Sequence, residues 1–406
     1  MNILVTANHG NFLFPKDGAD RRRRHLVEQL LKGNKITALE SNRYVEFVGF
    51  NWQPNDLKVC LYHDYHLQGY PISVPFLDFN PNFLINMWKV LKGNSFDLIQ
   101  ISFPFGIFAT KLLVWILKQE AAIVYDSHNV ESELVKAGTG FPQPLHCMFS
   151  LYVWLIEYLA TKCSTLILTI SEDDRELFAQ RYRVPQNKMI YVPFCAEDCQ
   201  LGPLRRKTVR EGLELMDDEI GVLFHGTWNY PPNQDAIRNI TDFIAPRVQV
   251  RNRKVKLFIA GKGVPCQRKD NVIFLGFIDN LSDLLNAMDL AIVPDGDKRR
   301  TGVRIKLVEY LAFGLPVITT VDGARGLKLE SGRHAIIVGE AGEEFVDRLV
   351  YYADNDTDRQ ELGIRAREFA KANLDPCAVG NRLRDSYLKI LNGCKHLKVR
   401  SDGVDK

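Results

Sequence analysis

The stretch Thr301-Gly-Val-Arg-Ile-Lys-Leu-Val-Glu-Tyr-Leu-Ala-Phe-Gly-Leu-Pro-Val-Ile-Thr-Thr320 decides the fold of this chain of 406 residues. It predicts a glycine turn, a short helix over residues 305–313, a Gly-Leu-Pro break and a buried strand over residues 317–319. A helix that leads into a buried β-branched strand is the repeating unit of a parallel sheet. The stretch therefore favours an α/β fold.

The start of this helix carries the charges of a candidate ligand site. Arg304 and Lys306 lie in its first turns, and Glu309 follows three residues after Lys306. Because a helix N-terminus offers free N–H groups and a partial positive charge, it suits a phosphate group, and two added cations suit a diphosphate. The Glu309 carboxylate can accept hydrogen bonds from sugar hydroxyls. The alternative is an amphipathic helix with a solvated charged face.

The rest of the chain shows the same alternation of short apolar runs and helical patterns. In the first half, strands are predicted over residues 3–7, 98–101, 123–125, 166–170 and 189–192. In the second half, strands are predicted over residues 222–225, 256–260, 272–275, 290–293, 317–319 and 336–338. The sequence thus predicts two Rossmann-like α/β domains that face each other across a cleft, with ligands at the carboxyl ends of the strands.

The stretch 194–218 breaks this alternation. It contains Gly202-Pro203 and the basic run 205–207, so it predicts a linker between domains. We expect an N-terminal domain over residues 1–200 and a C-terminal domain over residues 201–376. A final helix over residues 377–393 and a flexible polar tail over residues 394–406 complete the prediction.

Composition excludes several classes of protein. The net charge of +3 is too small for a nucleic-acid binder, and the eight cysteines are scattered without metal-ligand spacing. Scattered cysteines and the lack of a signal-peptide pattern favour reduced thiols in a cytoplasmic protein. The apolar run 103–117 is too short and too interrupted to span a membrane. The aromatic-rich helix 145–160 is interpreted as core, with a membrane-facing patch as the alternative.

Residues with chemical potential follow predicted strands of the first half. Gly18 precedes a helix, where a glycine allows close approach of the backbone to a ligand. Asp126-Ser-His-Asn-Val-Glu131 follows the strand 123–125. His128 can donate to a sugar hydroxyl or a phosphate oxygen, with Asp126 or Glu131 fixing its orientation. A turn histidine without contact to a ligand is the alternative.

Similar positions occur in the second half. Gly226 and Thr227 can present N–H and hydroxyl donors to phosphate after the strand 222–225, and Phe277 follows the strand 272–275, where it can contact a base. The loop Gly261-Lys-Gly263 lacks the spacing of a P-loop, so hydrolysis of nucleoside triphosphates is not supported. The first strand is followed by no G-x-G-x-x-G pattern, which argues against a nicotinamide dehydrogenase.

Together these motifs resemble the two-domain retaining glycosyltransferases of family 4, which have the GT-B fold, over nearly the whole chain. The most specific block is Gly302-Val-Arg-Ile-Lys-Leu-Val-Glu309 followed by Gly314-Leu-Pro-Val-Ile318. The blocks that support it, in chain order, are Gly18-Ala19, Asp126-Ser-His-Asn-Val-Glu131, Ser171-Glu-Asp-Asp174, Phe224-His-Gly-Thr-Trp228 with Pro232-Asn233, and Leu275-Gly-Phe277.

The resemblance implies transfer of a sugar from a UDP- or GDP-sugar to a glycan or lipid-linked acceptor, with retention at the anomeric carbon. It implies that the C-terminal half binds the donor, the N-terminal half binds the acceptor, and the last helix crosses back to the N-terminal domain. Cell-surface polysaccharide or glycoconjugate synthesis is the expected setting. The expected catalytic residues are His128, Arg304 and Lys306, and the expected donor-binding residues are Gly18, Gly226, Thr227, Phe277, Thr301, Gly302, Val303 and Glu309.

The sequence departs from the family pattern at two places. Thr301 stands where a second glutamate is usual, and Thr227 and Asn233 stand where a cation pair is usual. We therefore expect Arg304 and Lys306 to bind the diphosphate. No Asp-x-Asp motif is well placed for a metal, so we expect metal-independent chemistry and no cofactor beyond the nucleotide-sugar co-substrate.

Two other functions stay open at this point. One is a nucleotide-sugar epimerase or hydrolase on the same architecture, and the other is a non-catalytic subunit that binds a sugar nucleotide. No nucleic-acid partner is expected. The expected location is the cytoplasm, with peripheral association at the inner face of the membrane left open.

Overall fold

The computed structural model describes residues 1–7, 11–13, 18–42, 52, 54–63, 80–137, 142–196, 202–296 and 302–401. The chain divides into two compact units. Unit 1 comprises Met1–Pro193 together with Pro376–Lys406, and unit 2 comprises Phe194–Asp375. The divisions thus fall at 193/194 and 375/376, whereas the sequence placed them at 200/201 and 376/377.

Unit 1 is built on a seven-stranded parallel sheet with the strand order 3-2-1-4-5-6-7. Its strands are β1 Asn2–Ala7, β2 Lys35–Ser41, β3 Leu57–Tyr62, β4 Leu98–Ser102, β5 Ala122–Asp126, β6 Leu166–Thr169 and β7 Met189–Tyr191. An order that grows outward in both directions from the first strand is that of a Rossmann fold, in which ligands bind where the order reverses. Here the reversal lies between β1 and β4.

Within the part of unit 1 that the structure describes, six α-helices lie between these strands. They are α1 Gly18–Leu31, α2 Pro81–Gly93, α3 Ile107–Ile116, α4 Glu131–Ala137, α5 Gln143–Cys163 and α6 Glu172–Tyr182, and a short 3₁₀ turn covers Gln186–Lys188. Side chains of a strand alternate between the two faces of the sheet. Ile99 and Ile101 accordingly pack in the core beneath α2, α3 and α5, whereas Gln100 between them points to the opposite face.

Unit 2 repeats this architecture. Its strands are β8 Ile220–His225, β9 Val255–Ala260, β10 Cys266–Lys269, β11 Val272–Gly276, β12 Leu290–Val293, β13 Val317–Thr320 and β14 Ile336–Val338. The sheet has the order 10-11-9-8-12-13-14, and β10 is antiparallel to β11 at its edge while the other pairs are parallel. Its helices are α7 Pro203–Gly212, α8 Pro231–Arg238, α9 Ala245–Arg251, α10 Leu281–Ala287, α11 Ile305–Ala312, α12 Val321–Ala324, α13 Glu343–Asp354 and α14 Asp356–Asn373, with a π-helical turn over Asn239–Ile244.

The prediction of two Rossmann-like α/β domains is confirmed. The elements that were not predicted are the strands β2, β3 and β10 and the helices α2, α4, α7, α9 and α12. Strands β2, β3 and β10 carry polar residues among the apolar ones, so they lack the continuous apolar run of a central strand. The predicted linker 194–218 contains α7. One member of its basic run has a structural role: Arg206 pairs with Asp289 and donates to main-chain carbonyls before β12, and Arg210, further along α7, does the same.

The last helix, α15 Pro376–Ser401, belongs to unit 1, which confirms the predicted return of the chain. It packs against α1, and the backbone approach is close: a Cβ atom at Gly380 would lie 2.5 Å from the Cβ of Gln29. The buried Tyr387 hydroxyl donates to the side-chain oxygen of Gln100 at 2.7 Å. The helix continues past residue 393, where the sequence analysis placed the start of a flexible tail.

Candidate active site

Gly302 and Val303 lead into α11 after the carboxyl end of β12 in unit 2. Gly302 has a φ of 84°, a left-handed conformation that glycine adopts without strain. A Cβ atom at Gly326 would lie 2.8 Å from the Cγ2 of Val303, so a second backbone segment passes directly beside this turn. Thr301, the position at which a second glutamate is usual, lies outside the described residues.

Arg304 occupies the N-cap position of α11 and is buried. Its Nε donates to Asp295 Oδ2 at 2.7 Å, and Nη1 donates to the carbonyl of Gly302 at 3.0 Å. Nη2 is buried without a hydrogen-bond partner. The sequence predicts that Arg304 binds a diphosphate. In the structure its guanidinium is bound by the Asp295 carboxylate, and Nη2 remains as a donor group.

Lys306 is the second residue of α11 and contacts the first turn of α8. Its Nζ donates to Asn233 Oδ1 at 2.8 Å and lies 3.8 Å from the centre of the Phe224 ring. The amide nitrogen of Asn233 donates to the carbonyl of Thr227 at 2.9 Å. A lysine on helix α11 and the Thr227 loop are therefore connected through one neutral amide.

Glu309 lies on the following turn of the same helix and faces the end of β8. Its Oε2 is 2.9 Å from His225 Nε2, and both side chains are largely buried. The backbone N–H of His225 donates to the hydroxyl of Tyr310 at 3.0 Å, and the two rings meet edge to face. Glu309 is therefore fixed in orientation by a histidine that α11 itself holds in place.

Three glycine-containing loops meet beside this group of residues. Gly226 N–H donates to Ala260 O at 2.9 Å, and Gly261 N–H donates to Gly276 O at 2.8 Å. A Cβ atom at Gly261 would collide with the carbonyl oxygen of Gly226, so only glycine permits this approach. Phe277 directly follows Gly276, and 66% of its surface is exposed.

In unit 1, the carboxylate of Asp126 is the centre of a buried network. Its Oδ1 accepts from Arg22 Nη1 at 2.5 Å, and its Oδ2 accepts from Ser102 at 3.0 Å and from Gln100 at 3.3 Å. Burial alone would raise the pKa of Asp126, but the positive charge of Arg22 outweighs it and holds the pKa well below the usual carboxyl range. Asp126 is therefore an anion at neutral pH.

His128 lies against this anion, with Nε2 at 3.4 Å from Asp126 Oδ2. Its ring stacks on that of Phe103 at a centroid distance of 4.7 Å, and Phe103 itself has a φ of 67°. Burial lowers the pKa of His128 against the attraction of Asp126, so the imidazole is neutral at neutral pH. Gly18 is the first residue of α1, the helix that carries Arg22.

Of the two acids expected to orient His128, Asp126 is the one that lies within 4 Å of it. Glu131 opens α4 instead, and its N–H donates to the buried carboxylate of Glu157 at 2.8 Å. Burial, with the nearby charge of Glu157, raises the pKa of Glu131 to about 8. The sequence thus indicated Asp126 as one of two candidate acids beside His128, but it did not distinguish between the two.

The structure brings part of the predicted site together. Arg304, Lys306, Glu309, Gly226 and Thr227 meet at the carboxyl edge of the unit 2 sheet. Gly18 and His128 belong to unit 1.

Sequence reasoning assigned no site role to three residues that position this edge or its counterpart in unit 1. They are His225, Asp295 and Arg22. His225 and Asp295 each stand at or just after the end of a strand, which is a signal that could have been used. Arg22 carries no such signal, because it lies within a basic run that resembles a solvated face.

In the described ranges, no three His, Cys, Asp or Glu side chains are grouped so as to hold a metal ion. Among the same residues, none of the helices combines the length and apolar content needed to cross a membrane.

Two family descriptions match the sequence, one in each unit. Residues 219–355 match Glycosyl transferases group 1, and residues 44–195 match Glycosyltransferase Family 4. No curated protein sequence matches the chain significantly.

Solved structures of similar fold cover nearly the whole chain. A sucrose-phosphate synthase from Thermosynechococcus elongatus has 16% identity and a TM-score of 0.73, covering 97% of this chain and 99% of that chain. Anabaena HepE in complex with UDP has 14% identity and a TM-score of 0.70, covering 96% and 100%. WaaG, a glycosyltransferase involved in lipopolysaccharide biosynthesis, has 15% identity and a TM-score of 0.66, covering 94% and 98%.

Proposed function

Since the chain is a glycosyltransferase of the GT-B fold, we propose that it transfers a sugar from a UDP-sugar to a glycan or lipid-linked acceptor, with retention at the anomeric carbon. HepE, of the same fold, has been crystallised with UDP and with UDP-glucose, which supports UDP over GDP as the nucleotide. We also propose that the transfer takes place in the cytoplasm and that it contributes to the synthesis of a cell-surface polysaccharide or glycoconjugate.

The observation that carries this proposal is the convergence of Lys306, Glu309 and Arg304 on one edge of the unit 2 sheet. The ammonium of Lys306 donates to the neutral side-chain amide of Asn233, 2.8 Å away, at the edge where the diphosphate is proposed to bind. Glu309 is 2.9 Å from a histidine that keeps its carboxylate in place. A cation and an oriented carboxylate one turn apart on a helix match the diphosphate and the ribose hydroxyls of a nucleotide.

In the transfer step, the bond between the anomeric carbon and the diphosphate oxygen breaks, and its electron pair leaves with the nucleoside diphosphate. The acceptor hydroxyl bonds to the anomeric carbon and gives up its proton to an oxygen of the leaving diphosphate. Negative charge therefore builds on the leaving diphosphate. The ammonium of Lys306, the unpartnered Nη2 of Arg304 and the N-terminus of α11 are proposed to stabilise it.

His128 is proposed to contact the transferred sugar. A neutral imidazole with an anion beside it is suited to donate or accept a hydrogen bond at a sugar hydroxyl. Gly226, Thr227, Thr301, Gly302, Val303 and Phe277 are proposed to contact the donor, and so is Gly18, near its diphosphate and the acceptor.

We further propose that the reaction needs no metal ion, because two side-chain cations and a helix terminus offer positive partners to the two phosphates. Full turnover in the presence of EDTA, unchanged by added Mg²⁺ or Mn²⁺, is the expected result. A strict requirement for a divalent cation would contradict it.

A thermal-shift panel of UDP, GDP and their glucose conjugates tests the donor assignment, because a ligand that binds the native state raises the melting temperature. UDP and UDP-glucose are expected to stabilise the protein, and Lys306→Met is expected to remove most of that shift. Lys254→Met is the matched control. Lys254 is an exposed lysine of unit 2 that lies just before β9 and pairs with Asp218. Equal UDP binding by Lys306→Met and the wild type would overturn the assignment of Lys306.

A further inference from the structure

Helices α2, α3 and α5 form one continuous layer over unit 1. Helix α3 contacts both α2 and α5, and all three bury their inner sides in the same core. Phe83 and Met87 of α2, Val114 of α3 and Val153 of α5 belong to that core. The inner sides of these helices therefore account for the packing of the unit, and their outer sides are not needed for it.

The outer sides of these three helices are nonetheless apolar. Trp115, Met148 and Leu151 expose 74%, 70% and 65% of their surface. The full set of large apolar side chains exposed on this layer is Ile85, Trp88, Phe108, Leu112, Trp115, Ile116, Leu145, Met148, Leu151 and Leu155. We call this set the apolar face. Single exposed apolar residues are ordinary, but a contiguous group of this size marks an interaction surface.

Charge on the three helices has one sign. The single acidic residue within their ranges is Glu157, which is completely buried. Lys89, Lys92, Lys111 and Lys162 are all exposed. Lys92 also lies over the ring of Trp88, with Nζ 4.8 Å from the ring centre. The apolar face is therefore accompanied by cations and by no exposed carboxylate of its own helices.

We propose that the apolar face docks unit 1 on the surface of an anionic phospholipid bilayer. Apolar and tryptophan side chains enter the boundary between headgroups and acyl chains, and the exposed lysines of the same helices, such as Lys92 over Trp88, attract anionic headgroups. A second copy of the chain fits less well, because a self-complementary contact would bring the lysines of both copies together. None of the described helices can span a membrane, so the association is peripheral.

This inference does not depend on the sugar-transfer reaction. Donor binding involves residues of unit 2, whereas the apolar face lies wholly in unit 1. A variant that loses the bilayer and keeps UDP would therefore test docking by itself, and failure of either proposal can be recognised without the other.

Vesicle flotation provides the test. The wild type is expected to float with vesicles of equimolar phosphatidylcholine and phosphatidylglycerol, and to float less with phosphatidylcholine alone or at high salt. The double variant Trp115→Glu with Met148→Glu is expected to lose flotation. The matched control is Val250→Glu with Ile364→Glu, which introduces the same charges at exposed apolar positions of unit 2 and is expected to float like the wild type.

Four further measurements keep the result unambiguous. Circular dichroism and UDP-induced thermal shift should be unchanged in the double variant, because both positions are exposed. Lys89→Glu is expected to weaken binding to the mixed vesicles roughly fivefold or more, since each lysine near an anionic surface contributes. Brominated lipid should quench Trp115 fluorescence, with Trp115→Phe as the reference.

Three outcomes would overturn the proposal. The first is flotation of the double variant equal to that of the wild type. The second is equal binding to vesicles with and without phosphatidylglycerol that is insensitive to Lys89→Glu. The third is absence of vesicle binding together with a dimer in solution that Trp115→Glu dissociates, which would identify the apolar face as a contact between copies.

Discussion

Arg304 Nε lies 2.7 Å from Asp295 Oδ2, and both side chains are almost entirely buried. The two residues flank the loop that joins β12 to α11, so their ion pair fixes the start of the helix on which Lys306 and Glu309 stand. In the absence of a donor, the carboxylate compensates much of the guanidinium charge. A diphosphate that approaches Nη2 would then be attracted by only part of that charge.

Substituting Arg304 and Asp295 one at a time distinguishes two roles of the pair: anchoring the start of α11 and binding an anion. Arg304→Ala should lower kcat/KM roughly a hundredfold and weaken UDP binding, because it removes a donor group from the developing charge. Asp295→Asn keeps an oxygen that accepts from Nε but removes the negative charge. It should cost about 2 kcal/mol of stability while the thermal shift induced by UDP grows.

Arg304→Lys keeps the positive charge but not the planar set of donors, so it is the control for charge alone. Its kcat/KM and its UDP affinity should lie between those of the wild type and of Arg304→Ala. Steady-state kinetics and melting curves measure these effects. Wild-type turnover and UDP binding in Arg304→Ala would show that the pair serves the fold alone. Weaker UDP binding in Asp295→Asn would instead show that Asp295 holds Arg304 in the position that binds the nucleotide.

Because His225 holds the carboxylate of Glu309 in place, we expect substitution of Glu309 to change the donor KM without a matching change in kcat. If Glu309 holds the ribose, it binds a part of the donor that does not change during the reaction, so the ground state and transition state benefit equally. Glu309→Gln should therefore raise the donor KM roughly tenfold and leave kcat within about twofold of the wild type.

His225→Phe keeps a ring beside Tyr310 but removes the nitrogen that orients Glu309. Its effect on KM should have the same sign and be smaller, roughly threefold. Glu330→Gln, an exposed carboxylate of unit 2 paired with Arg333, serves as the control and should leave both constants unchanged. A fall in kcat at constant KM would assign Glu309 to the chemical step instead.

The sequence was most informative where strands are buried on both faces. Predominantly apolar runs located β4, β5, β8, β9 and β12 to within a few residues, because strands of a parallel sheet are buried on both faces. It also grouped Arg304, Lys306 and Glu309, which share one helix. Local periodicity alone is sufficient for contacts of this kind.

The sequence did not predict contacts between residues that are distant from each other along the chain. Arg22 and Asp126 are separated by 104 residues, and the basic run that contains Arg22 gave no sign that one member would be buried. Asn233 stands where a cation is usual, and the sequence did not indicate that it would receive the ammonium of Lys306. Such pairs follow from the strand order, which the sequence predicts only as a class of fold.

Asp174 predicts a specific dependence of stability on pH. It is completely buried in the first turn of α6, and neither carboxylate oxygen has a hydrogen-bond partner. Burial raises its pKa from 3.8 to about 7. Between these values the native state keeps a proton that the unfolded chain has released, so stability falls as the pH rises through this window.

Asp174→Asn cannot ionise and should flatten this fall. The difference in unfolding free energy between pH 5 and pH 8 should shrink by an amount on the order of 2 kcal/mol. Asp173→Asn, which changes an exposed neighbour on the same turn, should keep the wild-type profile. Urea unfolding across this pH range measures both. Identical slopes for Asp174→Asn and the wild type would show that Asp174 does not hold its proton.

The hydrogen bond from Tyr387 to Gln100 joins the end of the chain to its first half. It is buried at 2.7 Å, and Gln100 in turn donates to Asp126 at 3.3 Å, beside His128. Tyr387→Phe leaves the Gln100 oxygen without its donor and should lower the unfolding free energy by about 1 kcal/mol.

Tyr351→Phe is the matched control, because it removes a hydroxyl that bonds Asp358 at the surface of unit 2 and should change stability by less than about 0.5 kcal/mol. Since Gln100 also orients Asp126, Tyr387→Phe should additionally reduce kcat, and Tyr351→Phe should not. Equal stability and equal kcat in the two variants would mean that α15 covers unit 1 without supporting the network around His128.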